Sequence, residues 1–120
     1  MQHVHAFRDD ALGDLDAVAL VDALRTGRVS RPEVVEAAIA RVQAVNPILN
    51  GLAHENFDQA LARAYAGTPY SGQLSPAGRL RGYFDGVPTF IKDNVDVEGM
   101  PTMQGTDAWD PRPQADHGEF

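Results

Sequence analysis

Gly86-Val87-Pro88-Thr89-Phe90-Ile91-Lys92-Asp93-Asn94 is the stretch on which the reading of this chain turns, because an apolar run closes there on a lysine. It is the sole lysine among 120 residues, and nine arginines carry the other positive charge. Arginine keeps its charge under almost any condition, whereas burial can drive a lysine amine neutral and leave it able to act as a base. The alternation of a strand puts Val87, Thr89 and Ile91 on one face and Phe90 and Lys92 on the other. Apolar residues on both faces predict a central strand covered on both sides. A compositional reading competes with this one: an Ala- and Arg-rich chain uses lysine rarely, and Lys92 then simply flanks a strand. Position alone does not separate the two.

Upstream, the spacing predicts helices. Asp14 or Asp16 can cap a helix whose stripe is Ala17, Leu20, Val21 and Leu24, with Gly27 placed to end it. Ser30-Arg31-Pro32-Glu33 is a capping-box signature opening a second helix with the stripe Val35, Ala38, Ile39 and Val42. Asn46-Pro47 is expected to stop it. Ile48 to Ala53 then reads as a short strand, and Asn56 with Gln59 as the cap of a third helix carrying Phe57, Ala60, Leu61 and Ala64. The expected organisation is helix-helix-strand-helix over residues 14–66, a Gly/Pro-rich loop over 67–82, the lysine-bearing segment over 83–106, and an aperiodic Pro/Asp-rich tail over 107–120. Helix pairs and strands in alternation predict an α/β fold. The strands are too few to cover three amphipathic helices, so the expected domain is incomplete and folds marginally alone.

Composition narrows the function classes. A hydrophobic fraction of 43% with 22% charge describes a soluble globular chain. No apolar run approaches membrane-spanning length, and the start has no basic region leading into an apolar stretch, so the expected compartment is the cytoplasm. Absence of cysteine excludes disulfides, thiolate zinc sites and a cysteine nucleophile. A net charge of −7 argues against nucleic-acid backbones or anionic lipid as direct partners.

Gly86 to Asn94, with Val95-Asp96-Val97 and then Gly99-Met100-Pro101-Thr102, resembles the amidase signature hydrolases, whose lysine segment reads G-[VI]-P-x-x-[IV]-K-D-N ahead of a P-T-x-x-G element. Here that element is Pro101-Thr102-Met103-Gln104-Gly105. The likeness runs roughly from Leu15 to Thr106 and is specific from Gly86 to Gly105, the part before that being supportive. Tyr83-Phe84-Asp85 replaces the usual lead into Gly86, and Met103 and Thr106 stand where Thr and Ser are frequent. The resemblance implies the N-terminal part of a mixed β-sheet flanked by helices, and catalysis by a serine, a second serine in a cis peptide, and Lys92 as the base. It implies a small-molecule amide substrate and no cofactor or metal, and leaves a homo-oligomer open. Asp93 and Asn94 are candidates for supporting the site by hydrogen bonds, or for simply terminating the strand. The family's serines lie in a Gly/Ser-rich segment downstream of the lysine, and this sequence has none. Its serines are Ser30, a cap candidate, and Ser71 and Ser75 in the loop; none is assigned as nucleophile. An amidotransferase that serves misacylated tRNA shares the signature and is the alternative within the family.

Two readings come from other classes. Asn94 to Gly99 alternates oxygen ligands and places a glycine sixth, as a calcium loop does, but Gly105 occupies the twelfth position where a glutamate is needed and Pro101 interrupts it. Tyr70, Tyr83, Phe84 and Trp109 could serve a non-catalytic interaction module, although aromatics beside Gly and Pro more often pin loops. His3 and His5 could chelate a metal, His54 and His117 look isolated, and Asp107, Asp110, Asp116 and Glu119 read as solvated surface.

Overall fold

The computed structural model describes residues 3–67 and 82–118. Among the described residues three helices run in order: α1 (Ala17–Arg25), α2 (Arg31–Leu49) and α3 (Phe57–Ala66). Of the two aspartates expected to cap α1, Asp16 does so, accepting the Ala19 N–H at 2.8 Å. The helix ends in a Schellman turn: Gly27 adopts φ +72°, its N–H donates to the Leu24 carbonyl at 3.3 Å, and the Arg28 N–H donates to the Ala23 carbonyl at 2.9 Å. The capping box at the start of α2 forms, with the Ser30 N–H donating to Glu33 Oε2 at 2.7 Å and the Glu33 N–H to Ser30 Oγ at 3.4 Å. The Ser30 hydroxyl and then its N–H hold the Glu33 carboxyl below the usual range. At α3 the expected pair forms side chain to side chain, Asn56 Nδ2 donating to Gln59 Oε1 at 2.7 Å, and Asn56 caps no backbone group.

Two expected strands are absent. Helix α2 does not stop at Asn46-Pro47; it continues through Pro47 to Leu49, so Ile48 and Leu49 are helical. Pro47 lies in the last turn, and the carbonyl its ring nitrogen cannot serve is that of solvent-exposed Gln43, so the missing bond costs little there. Termination falls instead to Asn50, which takes the left-handed conformation at φ 47°, while Asn46 Oδ1 accepts the N–H groups of Gly51 at 2.9 Å and Leu52 at 3.2 Å. The second missing strand is Gly86 to Lys92, whose backbone is irregular. A central strand needs ladder partners on both sides, and among the described residues no segment lies beside it to supply them; Pro88 also removes one donor. The β content of the described residues is two isolated bridges, Glu98 with Gln114 and Pro101 with Pro113.

Those bridges give the tail a structure its composition conceals. The Gly99 N–H donates to the Gln114 carbonyl at 2.9 Å, the Gln114 N–H to Met100 at 3.0 Å, and the Gly118 N–H to Asp96 at 2.8 Å. The Glu98 N–H donates to His117 Nδ1 at 3.2 Å, so His117 is docked and not isolated.

The main core gathers Leu20, Leu24 and Val34, with Ala11, Leu12, Val29 and Val87 packed on it. Val34 is fully buried although it lies off the predicted α2 stripe. The reason is that α2 is packed on two sides: Val34 meets α1, while Val35 faces the space beside α3. The Tyr65 hydroxyl donates to Glu36 Oε1 at 2.7 Å across the α2–α3 contact.

Arg41, halfway along α2, fastens the N-terminal segment. Its Nε donates to Asp10 Oδ2 at 2.8 Å and its Nη2 to Asp10 Oδ1 at 2.6 Å, and Nη2 also reaches the carbonyls of Gly13 at 2.7 Å and Arg8 at 3.2 Å. The Arg41 guanidinium, aided by the Gly13 and Leu12 N–H groups and opposed by partial burial, lowers the Asp10 carboxyl from 3.8 to about 2. An acid with a depressed folded pKa contributes stability above its unfolded pKa and loses it as pH falls through the folded one. Arg41→Ala is therefore expected to cost on the order of 1–2 kcal/mol at neutral pH. Urea midpoints of the two chains should stay apart down to about pH 4 and converge as pH falls toward about 2; a gap independent of pH would contradict this origin.

Candidate active site

The lysine-bearing segment is held at both ends. At the upstream end stands Arg31, the first residue of α2 and a charged side chain only 8% exposed. Its Nη2 donates to Asp85 Oδ2 at 2.5 Å. The rest of the guanidinium passes between two glycines: a Cβ on Gly67 would stand 2.7 Å from Arg31 Nη1, and one on Gly86 2.8 Å from Nε. Gly86 also adopts φ +95°, which side-chain-bearing residues rarely take. Two turns complete the anchor, with the Asp85 N–H donating to Gly82 at 3.1 Å and the Val87 N–H to Phe84 at 3.0 Å, and Val87 then enters the main core. Tyr83 packs edge-on against Phe84 at 4.8 Å and lies beneath the Arg25 guanidinium, also at 4.8 Å.

At the downstream end stands Asp93. Three consecutive N–H groups converge on it: Met103 donates to Oδ1 at 2.8 Å, Gln104 to the backbone carbonyl at 2.9 Å, and Gly105 to Oδ2 at 3.0 Å. Positive φ at Gln104 (54°) and Gly105 (74°) turns these groups inward, forming an anion-binding concavity whose anion is the Asp93 carboxylate. The Met103 and then the Gly105 N–H lower the Asp93 carboxyl from its ordinary value. Lys-Asp-Asn and Pro-Thr-x-x-Gly are thus two halves of one knot. Of the two candidates beside Lys92, Asp93 binds this turn, whereas Asn94 is exposed and its side chain bonds to none of the described residues.

Lys92 lies between these anchors. Its carbonyl accepts the Val95 N–H at 3.0 Å, and its side chain is exposed. It lines a cavity of about 660 Å³ with Val42, Leu49, Phe90, Val95 and Met100. A second cavity of about 760 Å³ opens toward Phe57, Ala60 and Ala64 of α3, and Phe90 and Ile91 line both. Phe90 is 70% exposed and Ile91 46%, so the lysine projects from an apolar surface that the described residues leave uncovered.

The remaining candidates fall elsewhere. Ser30 is engaged as the α2 cap, and Tyr70, Ser71, Ser75 and Glu119 lie outside the described residues. Within the calcium-like loop, the Asp96 carbonyl and the Glu98 N–H both bind the tail, and no group of three His, Asp or Glu among the described residues is arranged to hold a metal. Trp109, His3, His5 and His54 are exposed. Arg31 is the residue that sequence reasoning missed. The signal for it was a basic residue in the first turn of a helix, where the macrodipole disfavours positive charge and a specific partner is needed.

Residues 33–120 match the family model described as Amidase. The chain belongs to the amidase family. It is 60% identical over 120 residues to a provisionally named amidase, AmiC, of Mycobacterium leprae, covering all of this chain and 23% of that protein. It is 41% identical over 92 residues to indoleacetamide hydrolase of Bradyrhizobium diazoefficiens, covering 77% of this chain and 17% of the relative. It is 36% identical over 95 residues to a glutamyl-tRNA(Gln) amidotransferase polypeptide of Chloroflexus aurantiacus, covering 79% and 19%. The chain therefore spans about a quarter or less of the length of the relatives it matches. No solved structure matches. No helix among the described residues is long and apolar enough to cross a membrane.

The knot makes a direct prediction. Asp93→Ala should speed amide exchange at Met103 and Gly105 by about tenfold or more while leaving α1 amides unchanged. Because the Asp93 carboxyl is held below its ordinary value, the wild-type protection should persist through about pH 4 and fade only at lower pH. Protection at these two amides that survives the substitution would show that the carboxylate does not organise the turn.

Proposed function

We propose that this chain supplies the lysine base of an enzyme that hydrolyses the carbon–nitrogen bond of a small-molecule amide. The observation that supports the reading is the Asp93 knot, which ties the residue after Lys92 to the Pro-Thr-x-x-Gly turn in a chain of the amidase family. In the reaction, the neutral Lys92 amine takes the proton of a serine hydroxyl as its oxygen attacks the amide carbon. Backbone N–H groups receive the oxyanion, the C–N bond breaks with that proton passed to the departing amine, and water then releases the acid from the serine ester. The serine pair is not found in these 120 residues, so the full reaction needs polypeptide beyond them. The same polypeptide would supply the mixed sheet that the helices flank and would cover the apolar surface around Phe90 and Ile91, giving Lys92 the desolvation that a neutral amine requires.

The amidotransferase reading has a named relative behind it, the Chloroflexus aurantiacus protein. The net charge of −7 favours a free small amide over direct contact with tRNA. A cytoplasmic location accords with both.

The test is a chimera in which residues 1–120 replace the matching part of the Mycobacterium leprae relative, assayed on an amide that the parent hydrolyses. It should turn over that amide, and Lys92→Ala within it should lower kcat by about 10²–10⁴-fold. The 120-residue chain alone should not turn over. Retained kcat in the Lys92 variant, or Lys92-dependent turnover by the isolated chain, would overturn the proposal.

A further inference from the structure

We infer that Arg31 is a positioning residue for Lys92, acting through Asp85 at the upstream end of the lysine segment. Nothing in the catalytic scheme calls for it, and it lies just ahead of the stretch that matches the amidase model. Yet it is a buried charge, and a buried charge persists where its surroundings fix it.

Three observations give Arg31 this role. The first is the ion pair, which ties the start of α2 to the residue preceding Gly86. Arg31 is nearly enclosed and Asp85 is partly exposed, so the pair is poorly screened at the arginine end. The second is the slot. Gly67 follows α3 and Gly86 opens the lysine segment, and the Arg31 side chain fills the gap that their missing Cβ atoms leave. One side chain therefore sets the separation of α2, the end of α3 and the segment. The third is the scarcity of other restraints. Between the Val87 N–H and the Lys92 carbonyl, no backbone hydrogen bond to the rest of the described chain holds residues 88–91. Their course is set by where the two ends are fixed: Asp93 fixes one, and Arg31 with Asp85 fixes the other.

The substrate link to Lys92 rests on the hydrolase reading above, but the positioning itself can be tested without substrate. Lys92 is the only lysine, so a chain grown with lysine labelled at Cε gives a single resonance that reports its surroundings. Arg31→Ala should shift that resonance and speed amide exchange at Asp85 and Val87 by about tenfold, with α1 amides unaffected. Guanidinium ion added at millimolar concentration should reverse both changes by occupying the vacated slot. Asp85→Asn keeps the volume and removes the charge, and it carries the same expectation should Arg31→Ala fail to fold. Arg41→Ala, which cuts the other clamp on the same helix, should leave the Lys92 resonance in place. An unmoved resonance in both Arg31→Ala and Asp85→Asn, or an equal displacement in Arg41→Ala, would overturn the inference.

Discussion

The guanidinium of Arg31 is the joint between the helical half of this chain and the irregular half. Its pair with Asp85 and its passage between Gly67 and Gly86 bring two stretches, the end of α3 and the start of the lysine segment, onto the start of α2. The helices alone could pack without it, because Leu20, Leu24 and Val34 already form an apolar centre. The lysine segment has no such recourse. It lacks ladder partners among the described residues, and only Val87 enters the main core. Its placement depends on the nearly enclosed charge of Arg31 paired with Asp85, and then on the Asp93 knot further along the segment.

The local parts of the fold were legible in the sequence because their signals are local. Asp16 and Ser30 cap helices through their own side chains, and Gly27 ends one through its freedom at positive φ. Of the α1 stripe, Leu20, Val21 and Leu24 are buried and Ala17 is exposed; of the α3 stripe, Ala64 is buried and Phe57, Ala60 and Leu61 are half-buried. Where the sequence misled, the deciding factor was distant or positional. Asn46-Pro47 looks like a stop, but a proline in the final turn removes one exposed hydrogen bond and no more, and Asn46 itself accepts the N–H groups of the departing chain. Gly86 to Lys92 has strand composition, but a strand exists only with neighbours to pair with. Val34 was hidden because a single-stripe reading assumes one packing face, and α2 has two.

The site divides in the same way. Lys92 and Asp93 were visible through the motif, and the structure gives Asp93 a definite task that the motif does not spell out: it binds the turn that follows the lysine. Arg31 could not be found from its neighbours in sequence, because its partners are Asp85, Gly67 and Gly86. The tail was unreadable for a related reason. Its contacts with Asp96 and Met100 run through backbone groups, which leave no side-chain pattern, and the one with Glu98 runs through the His117 ring, whose partner is distant in sequence.

An amine held between these anchors can act in two physical ways, as a base or as a fixed positive charge. Arginine in place of Lys92 separates them, since it keeps the charge and cannot give up its proton at any working pH. The decisive measurement is kcat for Lys92→Arg in an active chimera bearing residues 1–120. If Lys92 is the base, the arginine variant should fall as far as Lys92→Ala; substantial activity in Lys92→Arg beside a dead Lys92→Ala would contradict that role.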